Sequence, residues 1–215
     1  QVGGSLTAPT AALSVQSPSL SVSGVHVVGL SVKANLAGKL KSPNADLEAR
    51  IGRLTSGELI STGVTVRARV EGPAVTLDAT ASVPKMGPDP LALKVAGVLN
   101  QARTEARLNE LTLSYPGTRF ALHGPAQIEL SGPRVDRLEL SDGTQRIILT
   151  GGVEKKKLLA KAEVQKLNLE KLPRGLLPSD LNLAGIVNLT ANATGTTSAP
   201  NVAAHLELAG GKVLT

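Results

Sequence analysis

Ala34-Asn-Leu-Ala-Gly38-Lys-Leu-Lys-Ser-Pro43-Asn44 and Ala191-Asn-Ala-Thr-Gly195-Thr-Thr-Ser-Ala-Pro200-Asn201 share the pattern Ala-Asn-x-x-Gly-x-x-x-x-Pro-Asn, the second copy lying 157 residues after the first. Apolar and polar residues alternate on both sides of each copy. Upstream, Val32, Ala34 and Leu36 correspond to Leu189, Ala191 and Ala193; downstream, Leu47, Ala49 and Ile51 correspond to Ala204, Leu206 and Leu208. Period-two alternation is the trace of a strand with one face apolar, and Gly with Pro between two such runs marks a turn. Each copy predicts a strand, a punctuated turn and a returning strand. The repeat points to a chain built by adding hairpins in one direction, hence to a long β-surface rather than a catalytic centre.

The rest of the chain follows the same rhythm. Between residues 13 and 40 the alternation changes parity at Gly24, which predicts a bulge or turn there. Residues 45–54 form a returning strand, Leu54–Glu58 reads as a loop, and Val64–Val70 is a strand stopped by Gly72-Pro73 and followed by Val75–Ala79. Pro84, Gly87, Pro88 and Pro90 mark the least structured stretch. The expected organisation is a β-segment over 1–83, a Pro-rich break at 84–90 and a second β-segment over 91–215. In the latter, Leu91–Leu99 and Ala102–Tyr115 read as strands joined at Asn100-Gln101. Phe120–Leu122 and Gln127–Leu130 are short strands divided by Gly124-Pro125. Leu138–Leu149 is the strongest hairpin signal, because Asp142-Gly143 suits a type I′ turn.

Signals conflict over 153–172. Glu154–Glu163 is rich in helix formers, yet Leu158, Ala160, Ala162 and Val164 alternate, so a strand is expected through about Lys166. Asn168–Leu172 then reads as one helical turn capped by Asn168 and halted before Pro173. A dozen or more strands result, with turn signals every 8–12 residues or so and no βαβ rhythm.

Composition limits the core and the chemistry. One Phe, one Tyr and no Trp occur in 215 residues, so Leu, Val, Ile and Ala must fill whatever core there is. A mean hydropathy of +0.08 is high for so few aromatics and suggests an apolar face only partly covered. No Cys is present, which removes disulfides and thiolate metal sites. No apolar run is long enough for a membrane helix. The start has no leader pattern, as in a segment cut from a longer protein.

The net charge is +6, and half of that excess lies between Val153 and Lys171. Without aromatic platforms or a reader motif, nucleic acid is not the expected partner. Two readings of the lysines stay open: a solvated strand face that discourages edge pairing, or a match for anionic lipid headgroups.

No sequence pattern of a known catalytic motif occurs. His26, His123 and His205 stand far apart at apparent strand positions, and Asp136, Glu139 and Asp142 do not converge on alternating strands. No catalytic residue, cofactor or metal site is expected, and the chain does not read as an enzyme.

The aliphatic face is the remaining candidate. Val187, Leu189, Ala191 and Ala193 share one parity, and Val202, Ala204, Leu206 and Leu208 share that of the next strand. Asn188, Thr190, Asn192 and Thr194 take the opposite side and are expected to face outward. With Val32, Ala34, Leu36, Leu47, Ala49, Ile51, Leu158, Ala160, Ala162 and Val164, these residues form the candidate lining. Such a face is either a core covered by a second sheet or an open trough for acyl chains, which it would contact without desolvating polar groups.

Leu122-His-Gly-Pro-Ala-Gln-Ile-Glu-Leu130 resembles the recurrent Gly-Pro-Ala-x-Ile strand of the TamB family, large AsmA-related envelope proteins of the translocation and assembly module. The strand pair 138–149, Leu167–Leu172, Leu183-Ala-Gly185 and Ala193-Thr-Gly195-Thr-x-x-Ala-Pro200-x-Val-x-x-x-Leu206-x-Leu208-x-x-Gly211 are similar to that family too. The resemblance covers about 105–215 and, more loosely, 25–83. It implies an all-β fold, an elongated curled sheet, antiparallel or mixed, forming an open U-shaped aliphatic groove with little or no helix. It also implies a periplasmic segment, anchored to the inner membrane through parts outside this chain, that conducts phospholipid between membranes and supports outer-membrane protein assembly with an Omp85-type partner. Competing expectations are a closed β-repeat of structural or adhesin-like kind and a chaperone groove for nascent outer-membrane strands.

Overall fold

The computed structural model describes residues 1–5, 8–22, 24–39, 42–57, 59–86, 90–100, 102, 104–172 and 182–214. Alternation of the kind read from the sequence dominates them, and the fold is all-β. The strands are β1 Val2–Ser5, β2 Ala8–Val22, β3 Val25–Lys39, β4 Ser42–Ser56, β5 Leu59–Glu71, β6 Ala74–Ser82, β7 Leu91–Leu99 and β8 Glu105–Tyr115. They continue with β9 Thr118–Leu122, β10 Ala126–Glu129, β11 Arg134–Ser141, β12 Arg146–Glu154, β13 Lys157–Asn168, β14 Asn182–Thr196 and β15 Pro200–Leu214. The remaining elements are two three-residue 3-10 turns, Pro84–Met86 and Leu169–Lys171.

The chain forms two compact units: Gln1–Val98 with Leu113–Pro116, and Leu99–Thr112 with Gly117–Thr215. In the first, β1 through β7 pair strictly in chain order, every pair antiparallel. The second unit runs β11 through β15 in the same manner. There β10 pairs with both β8 and β11, and β9 also pairs with β11. Sequential pairing follows from the short hairpin connections, which leave each new strand nowhere closer to dock than the edge just made.

Both copies of the repeat form the same hairpin. Gly38 lies opposite Pro43 in the β3–β4 pair, and Gly195 lies opposite Pro200 in the β14–β15 pair. The two glycines hold φ of 94° and 99°, a conformation side chains resist. An added Cβ at Gly195 would come within 2.7 Å of the Ala199 carbonyl oxygen. Glycine is therefore required at Gly195.

Several local expectations need correction. The Leu54–Glu58 loop is shorter than read: β4 continues through Ser56, turns at Gly57, and β5 starts at Leu59. Neighbours on both sides, β3 and β5, supply partners for Leu54 and Thr55, overriding their weak local signal. At Gly24 the expected turn is present, joining Val22 to its partner Val25. Of the histidines, His26 and His205 lie in strands, whereas His123 lies in a bend after β9. The Pro-rich stretch separates two strands of one unit, β6 and β7, which still pair; residues 87–89 lie outside the described ones.

The hairpin expected at Asp142-Gly143 exists, but not its type I′ turn. The last strand pair is Ser141 with Arg146, leaving a four-residue loop in which Gly143 has positive φ and Asp142 does not. The Asp142 carboxylate decides this. Its Oδ1 accepts from the backbone N–H groups of Thr144 at 2.9 Å and Gln145 at 2.6 Å, an Asx-type wrap that a two-residue turn has no room for. The type I′ geometry appears instead between β12 and β13, where Lys155 and Lys156 have φ of 48° and 68°. β13 is a strand, as its alternation implies, and Asn168 caps the following turn by accepting from Glu170 N–H.

Candidate functional site

Register converts the sequence parity into continuous aliphatic rows. In the first unit one row runs Leu13, Ala34, Leu47, Ala68, Leu77, Val95 across β2 to β7. The next runs Val15, Val32, Ala49, Val66, Ala79, Leu93 over the same six strands. Leu36 and Ile51 lie in flanking rows, with Ala45 and Val70 beside the former and Leu30 and Val64 beside the latter. All six first-copy lining residues thus come together on one face.

The opposite parity carries an alternating charge row: Lys33, Glu48, Arg67, Asp78, Lys94 on five adjacent strands. Arg67 Nε donates to Glu48 at 3.2 Å and Arg50 to the same carboxylate at 2.7 Å, while Arg69 Nε donates to Asp46 at 2.8 Å. The two arginine hydrogen bonds hold the Glu48 carboxyl below its ordinary range. Exposed pairs of this kind contribute little energy each. Their role is register, since a one-residue slip would set these charges among the aliphatic rows.

Very little covers the aliphatic rows of the first unit. Among the described residues of 1–98, only Ser61 and Val83 are buried. Leu13 is 58% exposed and Leu47 39%, and Val15 and Leu36 are open as well. An open trough of about 450 Å³ lies here, lined mainly by aliphatic residues such as Leu13, Ala34, Leu36, Leu47 and Val70, with Gln1, Asn35 and Asp46 at its margin. That size falls in the usual range of small-molecule sites, roughly 300–1,000 Å³.

The second unit builds equivalent rows. Leu122, Leu140, Ile147, Val164, Leu189 and Leu206 align across β9 and β11 to β15. Leu138, Leu149, Ala162, Ala191 and Ala204 form the next row, and Gly151, Ala160, Ala193 and Val202 the one after. Leu158 faces Gly195, and Val187 faces Leu208. Asn188, Thr190, Asn192 and Thr194 sit on the other face, none of them buried. Asn188 accepts from the N–H of Lys166, at the bulge in β13.

Cover here is graded along the row. Leu140 is 9% exposed and Leu206 60%. At the closed end Phe120, Leu108 and Ala126 are buried. Gln145 is buried as well, with its amide satisfied: Nε2 donates to Asp142 at 2.6 Å and Oε1 accepts from Asn168 N–H at 2.8 Å. Burial pushes the Asp142 carboxyl up, but the N–H donors of Gln145 and Thr144 and the charge of Lys171 outweigh it and hold the group low.

Sequence reading missed β2, β5, β6 and β7 as contributors to the face, and β11 and β12 in the second unit. Their alternation was visible in Leu13–Val15, Val64–Val70 and Leu138–Leu140; only the absence of a repeat copy left them out. Among the described residues, no group of three or more His, Asp or Glu is placed to hold a metal ion. No protein-family profile, curated protein or solved structure matches the chain.

Proposed function

We propose that this chain is a lipid-carrying β-segment of TamB-like type, whose uncovered aliphatic rows take phospholipid acyl chains and pass them along the sheet. The observation that carries this reading is the exposure of the aliphatic face in the first unit, where six strands align Leu, Val and Ala and a trough lies over the rows of β2 to β5. Each methylene of an acyl chain withdrawn from water onto such a face gains about 0.8 kcal/mol, and the rows it meets are aliphatic. A contiguous open apolar surface is unusual for a monomer and marks a binding surface.

The setting that goes with this reading is the periplasm, with inner-membrane anchorage outside this chain, phospholipid transport between membranes and an Omp85-type partner in outer-membrane assembly. Its support is the motif resemblance, not the fold alone.

Mass spectrometry of an organic extract of the purified chain tests the proposal. Stoichiometric phospholipid, lost in a Leu47→Arg variant that stays folded, is the expected result. A lipid-free extract, together with no uptake of a fluorescent phospholipid, would overturn it.

A further inference from the structure

The turn between β12 and β13 breaks a local rule. Lys155 and Lys156, both left-handed at φ 48° and 68°, join the opposed residues Glu154 and Lys157. Two consecutive left-handed residues are where Asn-Gly or Gly-Gly is favoured. Lysine offers no side-chain hydrogen bond to its own backbone to offset the Cβ clash. Lys155, Lys156 and Lys157 are all exposed, and no ion pair or hydrogen bond ties their ammonium groups to another described residue. Positions where a chain keeps the wrong residue for its backbone are where function is to be sought.

Strand order collects more at the same end of this unit's sheet. Lys157 stands opposite Thr196, and the turn after Thr196 holds the Ser198 hydroxyl against that of Thr196 at 3.2 Å. The turn before β11 brings Leu130, 47% exposed. The open aliphatic row residue Val202 begins two positions into β15, next to this edge. Three unpaired ammonium groups, two hydroxyls and exposed aliphatic side chains share one rim.

We propose that this rim, the Lys155–Lys157 tip with the adjoining Thr196–Ser198 turn, docks on an anionic phospholipid surface. The ammonium groups face headgroup phosphates, and of the hydrogen-bonded Thr196–Ser198 hydroxyl pair the one whose proton is free donates to a phosphate oxygen. The neighbouring aliphatic residues meet the boundary with the acyl region. Basic residues beside exposed apolar ones are the combination that holds proteins at such surfaces. Choosing a lipid surface over another polyanion rests on the lipid-carrying reading above.

The test is the double variant Lys155→Asn/Lys156→Gly, which suits the turn better than the natural pair and so keeps the fold. Its Tm is expected to rise by about 2–4 °C. The parent chain should float with phosphatidylglycerol-containing vesicles in a salt-sensitive manner and not with pure phosphatidylcholine. The variant should bind the anionic vesicles about thirtyfold more weakly, roughly fivefold per lysine removed. Lys155→Arg/Lys156→Arg should keep binding. Equal binding of parent and variant, or parent binding indifferent to lipid charge, overturns the proposal. So does tighter binding of the parent to a short DNA duplex than to the vesicles, with the same dependence on the lysines.

Uptake of a fluorescent phospholipid from detergent separates this from the function proposed above. A variant that loads normally yet no longer docks supports the rim assignment. A parent that docks but never loads leaves the rim intact and removes the lipid-carrying reading.

Discussion

The sheet of β2 to β7 and the cluster around Phe120 and Gln145 use the same aliphatic alternation to opposite ends. In the first, nearly every side chain of the apolar face keeps contact with solvent, and stability comes from cross-strand neighbours and hydrogen-bonded ladders. In the second, the unit's single Phe, buried Leu108, Ala126 and Leu140 and a hydrogen-bonded Gln145 make a sealed core. Among the described residues, ten of the twelve buried ones lie in the second unit. Alternation builds a face, and closure is a separate property, supplied here by one large aromatic and one buried amide.

Substitutions should register that contrast, beginning with the sealed cluster. Phe120→Ala removes the largest buried side chain and should cost about 3–5 kcal/mol, read by urea denaturation. A loss under 1 kcal/mol would show the cluster to be as open as the first sheet. Gln145→Leu comes next. It leaves the Asn168 N–H and the buried side of the Asp142 carboxylate without partners, at roughly 2–3 kcal/mol. If Gln145→Leu is neutral, the amide is not what closes this end.

Acid should separate the two regions as well. The Asp142 carboxyl is held below its ordinary value of 3.8, so its contribution is complete above that pH and is lost as pH falls through the lower folded value. Glu48 in the first unit is depressed likewise, but it is exposed and screened. Acid titration followed by amide exchange should therefore loosen the Asp142 loop below about pH 3.8 while the β3–β5 amides remain protected. Equal loss in both places would break the comparison.

The open face should yield the smallest effect on stability and the largest on ligand. Leu13→Asp or Leu47→Arg places a charge where water can reach it, so the cost should stay below about 1 kcal/mol, against several for a sealed core. Phospholipid loading should nevertheless fall to background. A large stability loss in both would mean the face is covered in solution.

Much of this was legible in the residues. Val32–Leu36 and Leu189–Ala193 announced strands and assigned their faces, because side chains alternate across a pleated strand whatever surrounds it. The repeated Gly and Pro announced two equivalent hairpins, because a positive φ opposite a residue lacking N–H is a local requirement. Asn168 announced its cap, since the side chain bonds two residues on.

Other features depended on neighbours distant in sequence. Lys155-Lys156 adopts the turn that Asp142-Gly143 suits by composition, because β14 holds β13 in register up to the Lys157–Thr196 pair while Asp142 is drawn into its own hydrogen bonds. Leu54–Ser56 stays strand because partners exist on both sides. Above all, parity states which side chains share a face but not whether anything packs over it. Only the tertiary structure left Leu13 and Leu47 open and buried Leu140 and Phe120, because cover comes from residues elsewhere in the chain whose arrival no local pattern encodes.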